Sequence, residues 1–330
     1  MNRSVRGVAL YSGGLDSILA IKLILDQGIH VEALIFRTPF FGGDRPGPIP
    51  FLADCANLKL HMIDITNQFL IILASPRYGY GKQLNPCIDC KILMLREAKS
   101  FMEKKGADFV FTGEVLGQRP MSQRRDTLRL LEKESGLEGV LLRPLSAKLL
   151  PPTRMEEAGL IDRERLLDLS GRSRKRQIEM ANALAWQDYP TPGGGCLLTD
   201  ATFAKRLSPL LKKGINDPDI IGWLRIGRHF ILPGDIRVIV GRNQVENTQI
   251  LNRAKKEEIL IKTTVVPGPV AIISGDSSPE MIRLAASIMA GYSDFEAGKE
   301  VAVALGKGGD FTEEMMVSPL SRKDVEVYKV

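Results

Sequence analysis

Two short stretches of this 330-residue chain combine residue types that can do chemistry. The first is SGGLDS at residues 12–17, in which two glycines stand among hydroxyls and a carboxylate. The second is NPCIDC at residues 85–90, a C-x-x-C at the start of a helical pattern, and a third cysteine, Cys196, follows a Pro/Gly-rich stretch. The first stretch favours binding of a phosphate and its Mg²⁺, and the second favours thiolate chemistry.

The SGGLDS stretch follows an apolar, strand-like run and opens a segment with helical spacing. One interpretation is a plain strand-to-helix turn in which Asp16 or Ser17 caps the helix. The other is an anion site, because residues without side chains let backbone N–H groups reach a phosphate at a positive helix end. We predict this second role, with Asp16 organising Mg²⁺ and the pyrophosphate of a nucleotide bound by Ser12, Gly13, Gly14 and Ser17.

These residues resemble the SGGxDS signature of the PP-loop pyrophosphatases, which cleave ATP between the α- and β-phosphates and leave AMP on a substrate. No lysine follows the glycines, so the stretch is not the GxxxxGK[ST] loop. The resemblance implies ATP and Mg²⁺ as cofactors and a parallel α/β sheet of the adenine nucleotide α-hydrolase type.

Cys87, Cys90 and Cys196 differ from Cys55, which lies among apolar residues and is interpreted as a small buried hydrophobe. Inert thiols are disfavoured for a C-x-x-C in a reduced compartment. A structural zinc needs four ligands, and the three histidines have no spacing that supplies the fourth. Two alternatives remain: a persulfide relay resolved by Cys196, and a [4Fe–4S] cluster held by the three thiolates.

The PP-loop, the NPCxxC and the distant third cysteine together resemble the tRNA thiolases over about residues 7–200. These include tRNA 2-thiouridylases and cluster-dependent 4-thiouridine and 2-thiouridine synthetases. The resemblance implies adenylation of a uridine oxygen and its replacement by sulfur from free sulfide or a cysteine desulfurase. It makes Asp16 and the three cysteines catalytic, and we favour the cluster, with Cys87, Cys90 and Cys196 as its ligands. The 2-thio and 4-thio products stay open, since we identify no THUMP or rhodanese-type segment in this sequence.

Three rival functions also fit a PP-loop. The adenylate could be attacked by ammonia or an amine, as in lysidine synthesis, although that chemistry has no need of three cysteines. The chain could instead be a non-catalytic RNA-binding factor with ATP as a structural ligand. Sulfur transfer to a small molecule is the third, and the basic runs of the sequence disfavour it.

Alternating strand-like and helix-like segments surround these motifs in residues 1–200, which predicts a parallel sheet covered on both faces. Ligands then bind at the carboxyl ends of the strands, where the SGGLDS stretch and Gly113 both lie. We therefore add Gly113 to the nucleotide site. The segment 151–186 is predicted to be helical. Residues 201–330 are predicted to form a smaller α+β domain with strands at DIRVIVG, EILIKT, VAIISG and KEVAVALG.

The second domain is similar to the RNA-binding domain of NFACT proteins. The matching residues are the Gly241-Arg242-Asn243 run and Asn247 on the next helix. A structural alternative is that Gly241 makes a turn and Asn243 caps a helix. The resemblance implies that Arg242 and Asn243 bind RNA.

Charge supports the same partner. The net charge is +6, and residues 119–176 contain 14 Lys and Arg against 9 Asp and Glu, a local charge of +5. Arginine matches phosphate geometry, and aromatics are scarce at 6%, so backbone and shape recognition of tRNA is favoured over base stacking. The absence of a signal-like start or a membrane-length apolar run predicts a cytoplasmic protein without membrane contact. The candidate RNA-binding residues of this part are Arg119, Arg124, Arg125, Arg172, Arg174 and Arg176.

Overall fold

A computed structural model describes residues 4–42, 57–186, 195–215, 217–275 and 277–330. Cys55 and most of the Pro/Gly-rich stretch before Cys196 lie outside the described residues. The chain divides into two compact units, Met1–Ala204 and Lys205–Val330. In the part of the chain that is described, no helix is long and apolar enough to cross a membrane.

The first unit alternates strands and helices, with one further helix, α2, that the sequence pattern did not predict. Its strands are β1 (Arg6–Leu10), β2 (His30–Arg37), β3 (Leu58–Asp64), β4 (Phe109–Thr112) and β5 (Leu141–Leu142). Its helices are α1 (Leu15–Leu25), α2 (Thr66–Ala74), α3 (Cys87–Lys105), α4 (Arg125–Ser135), α5 (Arg154–Glu157) and α6 (Lys175–Ala183).

The five strands form one parallel sheet in the order β3-β2-β1-β4-β5. Both faces are buried: Val8 and Val110 point to one apolar core, and Ala9 and Phe111 point to the other. The chain leaves β1 towards β2 and later returns on the other side to β4. This makes the carboxyl end of β1 the topological switch point, where α/β sheets bind ligands. The predicted α/β fold is confirmed.

The segment 151–186 is not the continuous helical region that we predicted. It contains only α5, a short 3₁₀ turn at Arg163–Arg165, and α6. Gly159 and Gly171 break the pattern, because both adopt positive φ angles of 67° and 81° that a right-handed helix does not allow. Of the basic residues 172–176, Arg174 lies beside Asp16 in the first turn of α1, whereas Lys175 and Arg176 begin α6 and are exposed.

The second unit is the predicted smaller α+β domain. Its six strands pair antiparallel in the order β11-β10-β8-β9-β7-β6, around a core that includes Phe230, Ile273 and Met289. The strands are β6 (Arg228–Leu232), β7 (Ile236–Val240), β8 (Ile259–Thr263), β9 (Val270–Ser274), β10 (Val301–Lys307) and β11 (Asp310–Val317). The helices are α7 (Ala201–Lys212), which begins in the first unit, α8 (Pro218–Trp223), α9 (Gln244–Arg253), α10 (Pro279–Ala290) and α11 (Arg322–Val325).

Two of these strands were missed by the sequence reading. β6 is a short basic run, RHFIL, and β11 is an edge strand that carries three acidic residues and is mostly exposed. Neither has the alternating or continuous apolar pattern that identifies a strand in sequence.

Candidate functional site

The SGGLDS loop joins β1 to α1 at the switch point of the sheet. Gly13 has φ +78°, which only glycine adopts without strain, and no atom lies within 4 Å of a Cβ placed there. Gly14 is the N-cap residue of α1 and makes no side-chain cap hydrogen bond, so Asp16 and Ser17 lie inside the first turn. The alternative in which Asp16 or Ser17 caps the helix is therefore wrong.

Both serines of the loop order its backbone. Ser17 Oγ donates to Gly14 O at 2.7 Å, and the hydroxyls of Ser12 and Ser17 are 3.3 Å apart. Meanwhile the N–H groups of residues 13–16 find no hydrogen-bond partner among the described residues. Consecutive free N–H groups at a helix N-terminus form an anion-binding concavity.

Gly113 follows β4 and packs directly against this loop. A Cβ on Gly113 would lie 2.5 Å from Ser17 N and 2.6 Å from Asp16 O, a distance that backbone atoms cannot tolerate. Packing therefore requires glycine at position 113, because a residue without a side chain lets the loop after β4 approach the first turn of α1.

Asp16 is held by side chains from two later segments. Gln118 Nε2 donates to Asp16 Oδ2 at 2.7 Å, and the buried Gln177 Nε2 donates to Gln118 Oε1 at 3.1 Å. Arg174 Nη2 lies 3.5 Å from Asp16 Oδ1. The sequence analysis missed Gln118 and Gln177; the one available signal was a polar segment directly after the buried strand β4.

Cys87 is the first residue of α3, and its surroundings are ordered by the residues before it. Asn85 Nδ2 lies 3.1 Å from Cys87 Sγ, and Cys90 N donates to Pro86 O at 2.9 Å. Asp89 lies between Cys87 and Cys90 in the sequence. Its carboxylate accepts hydrogen bonds from the backbone N–H groups of residues 77 and 78, both at 3.0 Å. The C-x-x-C is thus fixed at a helix N-terminus.

Cys196 is brought to this region by a backbone contact across the unit. Leu197 N donates to Phe40 O at 3.0 Å, which anchors the residue after Cys196 beside the loop that follows β2. Burial, together with the nearby Cys87, raises the pKa of the Cys196 thiol to about 11, although the backbone N–H of Leu198 and the charge of Arg119 oppose the rise.

Cys90, like the other two cysteines, is half-buried. Burial raises its pKa far above the ordinary value, Cys196 and Cys87 add to this rise, and Lys91 acts against it. The three cysteines therefore lie close enough to influence one another, which the sequence left undecided. Among the described residues, no three Cys, His, Asp or Glu side chains converge tightly enough to hold a single metal ion.

A buried charge network links the cysteine helix to the loop after β4. Lys91, next to Cys90, and the fully buried Arg143 both form ion pairs with Glu114, next to Gly113. Burial would raise the pKa of Glu114, but Lys91 and Arg143 outweigh it and lower that pKa to about 2. Arg143 also pairs with Glu132 on α4. The sequence analysis did not identify this network.

The six arginines predicted to bind RNA in the first unit do not share one environment. Arg119 lies near Cys196, and Arg174 lies beside Asp16. Arg176 pairs with Asp168 at 2.7 Å, and Arg125 donates to Leu149 O at 3.1 Å. Arg124 and Arg172 are exposed.

In the second unit the Gly-Arg-Asn run has a clear structural role. Asn243 Oδ1 accepts Glu246 N at 3.0 Å and caps α9, so the capping alternative is confirmed. Arg242 forms an ion pair with the buried Glu246, with Nε 2.9 Å from Oε1. A Cβ on Gly241 would lie 2.1 Å from Asn247 Oδ1, so close packing against Asn247 requires this glycine.

A cluster of arginines surrounds Tyr292 on the same unit. The guanidinium carbons of Arg228 and Arg322 lie 4.6 Å and 5.1 Å from the centre of the Tyr292 ring. Burial lowers the pKa of Arg228, and the nearby Arg322 and Arg242 lower it further. We name Arg228, Arg242, Arg322 and Tyr292 the Tyr292 cluster. Sequence analysis missed it, because its residues are far apart along the chain.

Two family models match the chain. The first, Thiamine biosynthesis protein (ThiI), matches residues 3–148, and the second, NFACT protein RNA binding domain, matches residues 227–329. The tRNA-specific 2-thiouridylase MnmA of Syntrophotalea carbinolica is 32% identical over 117 residues. That match covers 31% of this chain and 32% of the relative, so the chain spans about a third of the relative's length.

Solved structures give more distant likenesses. A 4-thiouridine synthetase–RNA complex with bound ATP is 20% identical with a TM-score of 0.36, covering 64% of this chain and 54% of that one. The C-terminal part of a fibronectin/fibrinogen-binding protein from Streptococcus suis is 14% identical with a TM-score of 0.29, covering 80% and 97%. Both are too distant to inform function. The family models agree with both resemblances read from the motifs: ThiI over residues 3–148, and the NFACT RNA-binding domain over residues 227–329.

Proposed function

Because its first unit carries a ThiI-type PP-loop domain and its second an NFACT-like domain, we propose that this protein is an ATP-dependent tRNA thiolase. ATP adenylates a uridine carbonyl oxygen with release of pyrophosphate, and sulfur then replaces that oxygen as AMP leaves. One observation carries the proposal. The loop after β4 contacts the PP-loop through the hydrogen bond from Gln118 to Asp16, and it contacts the cysteine helix through the ion pair between Glu114 and Lys91.

The nucleotide half of the reaction is assigned to the loop between β1 and α1. Its free N–H groups bind the pyrophosphate, and the positive end of α1 favours the negative charge. Asp16 would supply a carboxylate oxygen to the Mg²⁺ that accompanies ATP. Gly113 supports this site by packing against the loop.

The sulfur half is assigned to Cys87, Cys90 and Cys196. Burial and the neighbouring thiols raise the pKa of Cys90 and of Cys196, so thiolates at these two positions require a cationic partner. Cys87, Cys90 and Cys196 would hold a four-iron cluster, for which the three thiols need not converge as tightly as for one ion. Such a cluster would supply Lewis-acidic iron for hydrosulfide. A persulfide relay among the same thiols is the alternative.

The remaining chain positions the reactants. A uridine carbonyl resists exchange because oxide leaves poorly, and adenylation makes AMP the leaving group. The loop after β4, fixed by the buried pair between Glu114 and Arg143, keeps the PP-loop and the thiols in register. Arg119 adds positive charge beside Cys196, where negative charge develops on sulfur. The sulfur itself comes from free sulfide or from a cysteine desulfurase.

tRNA is the proposed substrate of both units. The exposed Arg124 and Arg172 and the Tyr292 cluster present positive charge, and arginine binds phosphate in a bidentate manner. Arg242 is shared with Glu246, and Asn243 caps α9. In the predicted RNA contacts, Arg242 and Asn243 therefore use the hydrogen-bond donors that these two interactions do not occupy.

The test is to compare tRNA nucleosides from cells with and without this gene by liquid chromatography and mass spectrometry. We expect one thionucleoside to disappear, and its retention time separates 2-thiouridine from the isomeric 4-thiouridine. Purified protein with ATP, Mg²⁺, sulfide and the unmodified tRNA should restore it under anaerobic conditions, with one AMP released per sulfur. An unchanged set of thionucleosides, together with no tRNA-stimulated AMP release, would sink the proposal.

A further inference from the structure

Arg174 is more buried than Arg172 and Arg176, its neighbours in the basic stretch SGRSRKR at residues 170–176. Its side chain is 14% exposed, whereas that of Arg176 is 55% exposed and pairs with Asp168. The guanidinium of Arg174 faces the PP-loop, with Nη2 3.5 Å from Asp16 Oδ1. This distance is long for a charged N–H···O⁻ hydrogen bond, which is usually about 2.7–2.9 Å. The contact with Asp16 therefore leaves donor capacity of the guanidinium unused.

The Nε atom of Arg174 provides a second, independent observation. It is buried, and it has no hydrogen-bond partner among the residues that the structure describes. Buried donors in folded proteins are nearly always paired, so an unpaired one inside a site indicates a group that the protein alone does not supply. A phosphate fits, because the Nε and Nη donors of arginine form a fork that matches two phosphate oxygens.

The helices around Arg174 add to the positive potential at this point. Gln177, in the first turn of α6, reaches the Gln118 side chain that holds Asp16 in the first turn of α1. At the opposite ends, Leu23 of α1 and Ala183 of α6 line one cavity. The two helices thus run in the same direction, and both positive N-termini lie at the edge of the sheet that carries the free N–H groups of the PP-loop.

We propose that Arg174 belongs to the nucleotide site and binds the terminal phosphates of ATP, instead of binding RNA as its place in the basic run predicted. This inference deepens the proposed function and takes the identity of the nucleotide from it. Without nucleotide, the guanidinium balances the charge of Asp16. When Mg²⁺ arrives with ATP, the cation satisfies Asp16, and the arginine fork binds the phosphates that leave as pyrophosphate.

The experiment measures binding without turnover. Full-length protein is titrated with Mg²⁺ and α,β-methylene-ATP, which cannot be cleaved at the reacting bond, and separately with AMP. tRNA affinity is measured at one fixed salt concentration. The variants are Arg174→Gln and Arg174→Lys. The control is Lys175→Gln, because Lys175 is the next residue in the chain and its side chain is 82% exposed.

We expect Arg174→Gln to weaken binding of the ATP analogue at least tenfold while AMP and tRNA affinities stay within twofold. Arg174→Lys should be intermediate, because it keeps the charge and loses the fork, and Lys175→Gln should bind the analogue like the wild type. Unchanged analogue affinity with weaker tRNA binding would overturn the inference and return Arg174 to the RNA site. An equal loss for the analogue and AMP, with a lower melting temperature, would overturn it in favour of a purely structural role. The experiment measures binding and needs no turnover. It therefore tests the role of Arg174 even if the wild-type protein has no thiolase activity.

Discussion

Gln118 Nε2 lies 2.7 Å from Asp16 Oδ2, although the two residues are 102 positions apart in the chain. The next residue, Arg119, influences the thiol of Cys196. The same loop pairs Glu114 with Lys91, next to Cys90, and therefore contacts both the PP-loop and the cysteine helix. Each of the predictions below tests one part of this arrangement or of the second unit.

Replacing Gln118 with Leu should lower tRNA-stimulated AMP release by about 10- to 100-fold, since a hydrogen bond to a charged group contributes roughly 1.5–3 kcal/mol. The protein should also need more Mg²⁺ for half-maximal activity, because Asp16 loses the donor that fixes its carboxylate. Gln27→Leu is the matched control, since Gln27 bonds to residue 162 near the other end of α1. Equal effects of the two substitutions would show that Gln118 acts only through stability.

Cys87→Ser, Cys90→Ser and Cys196→Ser should each abolish formation of the thionucleoside, while Cys55→Ser should leave it unchanged. After anaerobic reconstitution, the wild type should contain about four iron and four acid-labile sulfide per chain, as a [4Fe–4S] cluster requires. Iron and sulfide contents near zero, together with a persulfide adduct on one cysteine detected by mass spectrometry, would favour the persulfide relay over the cluster. Unchanged tRNA-stimulated AMP release in the triple variant, with no thionucleoside formed by the wild type, would favour an amine ligase or another PP-loop reaction.

Glu114→Gln should destabilise the first unit by about 3–5 kcal/mol, because it leaves the fully buried Arg143 and Lys91 without their shared carboxylate. Urea unfolding of wild type and variant measures the difference. Glu132→Gln is the control, since Glu132 also pairs with Arg143 but is partly exposed and should cost less. Similar stabilities of all three proteins would mean that the network contributes little.

Acid should weaken the second unit through His229. Burial, together with nearby arginines, lowers the pKa of this histidine from 6.5 to about 3, although its hydrogen bond to the Ile226 carbonyl opposes the shift. When the pH lies between these two pKa values, His229 is protonated in the unfolded chain and neutral in the folded state. The free energy of unfolding therefore falls as the pH decreases. The slope from this group approaches about 1.4 kcal/mol per pH unit.

Denaturant titrations of wild type and His229→Gln between pH 4 and 8 test this linkage. The variant should lose part of the slope below pH 6.5 even if its stability at pH 8 is lower, since glutamine does not titrate. Parallel pH profiles for the two proteins would contradict the assignment.

Arg228→Gln combined with Arg322→Gln should weaken tRNA binding and reduce the slope of log affinity against log salt by about one to two. Both guanidinium groups lie over Tyr292, and neither pairs with a carboxylate among the described residues. Lys323→Gln, an exposed change on the same helix as Arg322, is the control. An unchanged salt slope would remove the Tyr292 cluster from the RNA surface.

Local sequence determined the elements that carry the chemistry. The glycine pair at residues 13 and 14 requires a bend after β1, and the helical spacing from Cys87 to the left-handed Gly106 sets the bounds of α3. The alternation of apolar segments predicted the parallel sheet, because buried strands and amphipathic helices have different periods. The choice between a capped turn and an anion loop needed backbone geometry.

Tertiary structure alone decided which residues meet. Cys196 joins Cys87 and Cys90 because residue 197 binds the backbone of Phe40 after β2, and no spacing in the sequence encodes that contact. Arg174 reaches Asp16 because the chain is irregular before α6, where a continuous helix was predicted. Local patterns report backbone preference and burial, whereas contacts between distant segments depend on how the whole sheet and its helices pack.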